Sequence, residues 1–210
     1  MADTKWTRRK DERPAEIIAA ALTVFAEKGF AAARTEEIAK RAGISKGALY
    51  LYFATKEDLF RAVVREAVVP DIDALQARIA GMEQSFGTLL RSLLPQFAEI
   101  AVRSQFGAVV KMVVGESGNF PELARIWHEN VISRAIGWLT ELIRHAQDRG
   151  ECRAGDPRAH AFSIMGPMLM GVLWHETFTP IGGDPVDISG LARQHVDTVL
   201  EGLLTGEKPQ

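Results

Sequence analysis

Apolar positions along the chain recur three and four residues apart, the spacing of a helix buried along one face. Nowhere do β-branched and aromatic residues alternate with polar ones between turn residues, so the pattern predicts an all-α protein. Ile18, Leu22 and Phe25 share one face of a first helix, for which Pro14 suits the first position and Gly29 the stop. Thr35 suits the cap of a short second helix with Glu36 and Glu37 in its first turn, and Gly43 the left-handed residue that ends it. Ser45 then caps a third helix of barely two turns, Lys46–Tyr52. Thr55 and Asp58 have the spacing of a capping box for a fourth, which runs towards Ile79 and is bent by Pro70.

Later helices are expected near 84–102, 105–115, 121–149, 157–178 and 187–204, about nine in all. Between them lie turn signals at Gly118-Asn119, 150–155 and 180–185. No repeat of solenoid period occurs, and the recurrence of Trp-His-Glu at 127 and 174 reads as chance. The division expected is a flexible basic arm over 1–12, a three-helix unit over 13–55, a linking helix over 56–80, a larger helical domain over 81–204 and a flexible tail over 205–210.

Two short helices joined by a tight turn, with the first helix across them, is the arrangement that lets one helix enter a DNA major groove. Ile38, Ala39, Ala42, Ile44, Leu49 and Phe53 supply a small interior, which leaves Ser45, Lys46, Gly47, Ala48, Tyr50 and Tyr52 on the outward surface of the third helix. Gly47 lets backbone approach a phosphate or base edge, and the N–H groups of the helix start favour an anion. Thr35 and Lys56, at the starts of the flanking helices, suit phosphates on either side of the groove.

Thr35-Glu36-Glu37-Ile38-Ala39, Gly43-Ile44-Ser45-Lys46-Gly47-Ala48-Leu49-Tyr50-Leu51-Tyr52-Phe53 and Lys56-Glu57-Asp58-Leu59 together resemble the DNA-binding domain of TetR-type repressors, in that family's order and spacing over about residues 13–60. The resemblance implies phosphate contacts by Thr35, Tyr50 and Lys56, and groove contacts by Ser45, Lys46, Gly47, Ala48 and Tyr52. For the rest of the chain it implies architecture only, a helical domain for effector binding and dimerisation. The expected function is a ligand-responsive regulator that binds double-stranded operator DNA as a homodimer, with repression relieved by a small apolar or aromatic effector expected ahead of activation. Two recognition helices in successive major grooves require a palindromic operator with half-sites about 34–36 Å apart, or a multiple of that.

The formal charge of -2 conceals an asymmetry that agrees with an anionic partner: residues 1–69 carry 13 Lys+Arg against 10 Asp+Glu, and the remainder 12 against 17. The basic arm of Lys5, Arg8, Arg9, Lys10 and Arg13 suits either a minor-groove contact or a solvated tail. One cysteine, Cys152, excludes an internal disulfide framework and fits a reducing cytosol. The polar N-terminus has no apolar signal region, and the longest apolar stretch, Ala159 to Trp174, is shorter than the roughly 20 residues of a membrane span. A cytoplasmic protein without a membrane partner is expected.

Gly43-Ile44-Ser45-Lys46-Gly47 also satisfies the G-x-S-x-G pattern of a hydrolase nucleophile, but that elbow needs a buried strand before the serine and a long helix after it. No enzyme, and no catalytic residue, is expected. His128, His145, His160, His175 and His195 invite a metal, yet His128-Glu129 and His175-Glu176 are neighbours that diverge by about 100° on a helix, and Glu141 with His145 is a common surface pair. Neither metal nor cofactor is expected; the alternative class is a helical interaction or metal-binding protein without DNA affinity.

Phe97, Phe106, Met112, Trp127, Trp138, Met165, Met168 and Trp174 are large apolar residues of the C-terminal part, from which core packing and the lining of a cavity for an apolar or aromatic effector must both draw. The last two helices are expected to form the dimer contact. Leu191, His195, Val196 and Val199 lie on one broad stripe, and Phe162, Gly166, Leu169 and Leu173 on the preceding helix, which is apolar nearly all round.

Overall fold

The computed structural model describes residues 4–79 and 84–204, with side chains from 13 to 77 and from 84 to 204. Among them are nine helices and no strand; Cys152 and Leu204 form an isolated antiparallel bridge. The helices are α1 Thr4–Ala32, α2 Thr35–Arg41, α3 Lys46–Tyr52, α4 over residues 56–79, α5 Phe86–Arg103, α6 Phe106–Glu116, α7 over residues 121–148, α8 Pro157–Thr177 and α9 Ile188–Leu203.

Local chemistry places most of the boundaries. Ser45 Oγ accepts the Ala48 N–H at 3.1 Å and so caps α3. At α4 the capping box is complete: Thr55 Oγ1 accepts the Asp58 N–H at 3.0 Å and Asp58 Oδ2 accepts the Thr55 N–H at 3.2 Å. Gly43 closes α2 with φ 66°.

Three boundaries depart from expectation. The first helix begins at Thr4 and carries Pro14 inside it, where the proline removes one backbone bond without preventing the turns that precede it. The backbone of the expected flexible arm is therefore helical from Thr4, while the side chains of Lys5, Arg8, Arg9 and Lys10 and the tail 205–210 lie outside the described residues. Thr35 is the first residue of α2, not its cap; the cap position falls to Arg34, which makes no side-chain cap bond. The helix expected to bend at Pro70 carries a π turn at Val64–Val68, just before the proline. A second π turn, His128–Ile132, interrupts α7 without any proline in it.

The chain forms two units, the described part of Met1–Pro70 with Ala108–Asn130, and Asp71–Gly107 with the described part of Val131–Gln210. The first therefore contains the end of α6 and the start of α7, which the sequence assigned to the larger domain. Its core is built on Phe25, Phe30 and Phe60, whose ring centroids lie 5.6–6.1 Å apart, with Phe120 5.1 Å from Phe30. In the second unit α5 packs on α9, and α8 on α7 and α9. Gly171 permits the last of these contacts, because a Cβ there would stand 2.8 Å from Leu191 Cδ2. Cys152 is buried, and burial followed by the Glu151 charge pushes its thiol up to about 11.

Gly29 breaks α1 with φ 78° and ψ 176°, and the Glu116 carboxylate occupies the space a Cβ would need. Gly29→Ala is expected to cost about 1–2 kcal/mol from the left-handed backbone alone, with displacement of Glu116 in addition. Chemical denaturation checks this; an unchanged midpoint would show that the turn relaxes freely.

Candidate nucleic-acid interface

The reading element is assembled from α2, the Gly43 turn and α3. Ile38, Ala39 and Leu49 are 0–1% exposed and seat the pair on α1. On the other side of α3, Ser45, Lys46, Gly47 and Tyr50 are exposed, Tyr52 is at 38%, and Ala48 is half-buried. The expected groove residues thus share an outward surface, with Ala48 at its margin.

Leu51 was omitted from that outward set, and it is 85% exposed. At about 100° per residue, positions 47 and 51 both fall within about 20° of the direction opposite the buried Leu49. Gly47 and Leu51 therefore form the outermost ridge of α3.

The polar groups around this ridge hold one another. Thr35 Oγ1 and Tyr50 Oη are 3.1 Å apart, which links α2 to α3. Lys46 Nζ bonds the Glu36 carboxylate and lies 5.9 Å from the Tyr50 ring centroid. This hydrogen bond holds the Glu36 carboxyl below its usual range and raises Lys46 above its own, so both stay charged at neutral pH. Both groups face solvent, where phosphate oxygens can replace the carboxylate.

Lys56 is placed otherwise than expected. Its ammonium turns inward and donates to the Phe30 carbonyl at 2.7 Å and the Ala33 carbonyl at 3.2 Å, over the Phe30 ring at 4.3 Å. Those carbonyls follow the Gly29 break and lack helical partners, so they capture the nearest cation. Lys56 thereby ties the start of α4 to the link between α1 and α2 instead of offering its charge to a phosphate.

Glu116 is the counterpart on the donor side. Its two carboxylate oxygens accept the Phe30 N–H at 2.9 Å and the Ala31 N–H at 2.6 Å. Arg61 of α4 adds an ion pair to Glu122 at 2.8 Å and a longer one to Glu129 at 3.8 Å, both on α7. Lys56 of α4 and Glu116 of α6 thus hold the three-helix element, while α7 is paired to α4, all within one unit.

A family model described as bacterial regulatory proteins of the tetR family matches residues 17–63, and one described as the AefR-like transcriptional repressor C-terminal domain matches residues 88–201. The chain belongs to the TetR family. The fatty acid metabolism regulator protein of Bacillus subtilis is 38% identical over 198 residues, covering 92% of this chain and 98% of that protein. Among solved structures, the fatty acid degradation regulator FadR of Bacillus halodurans superposes with TM-score 0.76 at 24% identity, over 90% of this chain and 95% of that one. FadR of Bacillus subtilis in complex with stearoyl-CoA gives TM-score 0.74 at 22% identity, over 90% and 98%. These two share the fold.

As a TetR-family protein the chain is a helix-turn-helix transcriptional regulator and not an enzyme, and Ser45 is a helix cap rather than a nucleophile. Among the described residues no three metal-ligating side chains group together, and no helix is long and apolar enough to cross a membrane.

The residues expected around an effector divide between the two units. Met112 and Trp127, 5% and 6% exposed, lie in the first. In the second, Phe97 meets Phe106 edge to face at 5.6 Å, and Trp138 packs on Leu89 and Leu93. Met168 is fully buried, Met165 half-buried, and Trp174 Nε1 donates to the Asp184 carbonyl at 2.8 Å. A cavity of about 330 Å³ in this unit is lined instead by Asp71, Ala74, Leu75, Gln96, Glu99, Ile100, Arg103 and Ser104.

Of the residues expected at a dimer contact, Phe162 and Leu169 are 52% and 40% exposed on α8, with Gly166 also exposed. Leu173, Leu191, His195 and Val199 are half-buried, and His195 Nε2 is 3.0 Å from the Ile164 carbonyl. Val196 corrects the expectation: at 4% exposure it fills the unit's own core and has no surface to offer a partner. Met170, 54% exposed beside Leu169, was not anticipated.

Proposed function

We propose that this TetR-family regulator is a repressor that binds a palindromic operator as a homodimer and is released by an apolar effector of the long-chain acyl class. The observation that carries the DNA-binding part is the outward surface of α3, on which Ser45, Lys46, Gly47, Tyr50, Leu51 and Tyr52 stand clear of a clamped three-helix base. Thr35 and Tyr50, already hydrogen-bonded, present hydroxyls at its edge for phosphate, and Lys46 exchanges Glu36 for a phosphate oxygen on binding. Repression is supported by the match of the C-terminal domain to a repressor family.

The dimer rests on the exposed apolar face of α8, where Phe162, Leu169 and Met170 flank Gly166. The effector class is supported by a relative of 38% identity that regulates fatty acid metabolism and by a fold neighbour that binds stearoyl-CoA. Phe97, Trp138, Met165 and Trp174 are partly open in the second unit while Phe106 and Met168 are buried, and the reading requires the open ones to line the ligand's path.

Selection from a random duplex pool, followed by titration of the selected site in rising salt, tests the reading. The expected result is a two-fold symmetric site whose affinity falls steeply with salt. Stearoyl-CoA, and not coenzyme A at the same concentration, is expected to weaken the complex at least tenfold. An asymmetric site, or release by coenzyme A alone, would overturn the corresponding part.

A further inference from the structure

The inference rests on the DNA-binding reading and concerns what the recognition helix reads. We propose that Leu51 is a specificity-determining residue that packs on the C5-methyl group of a thymine in each operator half-site.

Leu51 is 85% exposed, and an isolated surface leucine would ordinarily mean nothing. This one is not isolated. Tyr50 at 43% and Tyr52 at 38% adjoin it, so α3 presents three consecutive large apolar side chains to solvent, a run that costs solubility unless something covers it. Leu51 also shares the outermost ridge of α3 with Gly47, whose missing side chain allows the helix to sit close to whatever it faces.

The inventory of polar readers on the same helix is short. Residues 45–52 contain no Arg, Asn, Gln, Asp or Glu, and their only side chains able to hydrogen-bond a base edge are Ser45, Lys46 and the two tyrosine hydroxyls. Ser45 Oγ accepts the Ala48 N–H, and Tyr50 Oη and Lys46 Nζ, held by Thr35 and Glu36, are the groups assigned above to phosphate. Of the features a base pair displays in the major groove, the thymine methyl alone is apolar. An isobutyl group on the ridge of a recognition helix matches that feature and none of the hydrogen-bonding ones.

The test removes the methyl and nothing else. Each thymine of the selected site is replaced in turn by deoxyuridine, and the affinities of the full chain and of its Leu51→Ala variant are compared on every duplex. The exposure of Leu51 makes the variant fold like the parent, which its unfolding midpoint verifies. At one thymine per half-site the parent is expected to lose about threefold to fivefold per methyl removed. In Leu51→Ala the same replacement is expected to change affinity less than 1.5-fold, the loss having been taken by the mutation. Indifference of the parent to every replacement overturns the proposal. So does an equal loss for thymine and deoxyuridine duplexes on mutation, which would assign Leu51 to the sugar-phosphate backbone. A chain that selects no duplex at all overturns the DNA-binding reading first and this inference with it.

Discussion

Phe162→Asp combined with Leu169→Asp is expected to leave the protein monomeric and to lower its affinity for a two-half-site operator by about a hundredfold or more. Both side chains are exposed, 52% and 40%, so neither change opens a cavity in the unit that carries them. In a dimer they would meet across a two-fold axis, and each introduced charge would be desolvated against an apolar surface. The operator loss follows from geometry rather than from the reading heads, which are untouched. Linking two heads makes the second half-site an intramolecular target, an advantage commonly of a hundredfold to ten-thousandfold that a monomer forgoes. Sedimentation velocity measures the first effect, and titration of full and half-site duplexes the second. Half-site affinity is expected to stay at the parent value, and persistence of the dimer in the double variant would remove α8 from the interface.

Glu116→Ala is expected to destabilise the first unit by about 2–3 kcal/mol, since hydrogen bonds to a charged group contribute about 1.5–3 kcal/mol each and the site is half-exposed. Two successive backbone donors lose their acceptor at once. The left-handed Gly29 that precedes them then keeps only the Lys56 contacts to the carbonyls of Phe30 and Ala33, so the end of α1 is expected to loosen before the rest of the helix. Amide hydrogen exchange at Phe30 and Ala31 reads this directly and should accelerate far more than exchange at Ile38 or Leu49. Glu116→Gln keeps one acceptor oxygen and should fall between the parent and the alanine variant. Equal protection in all three would show that the carboxylate is ornamental.

The features legible in the sequence are those whose causes lie within one helical turn. Ser45 with Ala48, Thr55 with Asp58 and Gly43 after Arg41 are local arrangements, and each is found as the residue types dictate. The helix-turn-helix followed from these together with the family pattern. Lys56 is placed otherwise than its position suggests because its partners, the carbonyls of Phe30 and Ala33, are distant in the chain. A charge at the start of a helix looks available to phosphate until an unpaired carbonyl is brought to it by another part of the chain. Glu116 illustrates the same limit at greater range, since it sits 86 residues from Phe30 and no local pattern marks it. Val196 belongs to an apolar stripe wide enough to serve both an interface and a core, and periodicity does not separate the two. Leu51 is the opposite case: the helical wheel alone places it outward, against the burial that its apolar side chain suggests.

The lone sulfhydryl at Cys152 is shut away from water and held protonated at neutral pH, so it resists alkylation. A cysteine introduced at a solvent-facing position of α2 or α3 would therefore be the sole reactive thiol on each chain. Maleimide dyes or spin labels could be attached there without first deleting the native residue, and in a homodimer every labelled molecule would carry two reporters related by symmetry. The distance between those reporters, with and without ligand, becomes a direct spectroscopic test of whether a ligand alters the separation of the two recognition helices.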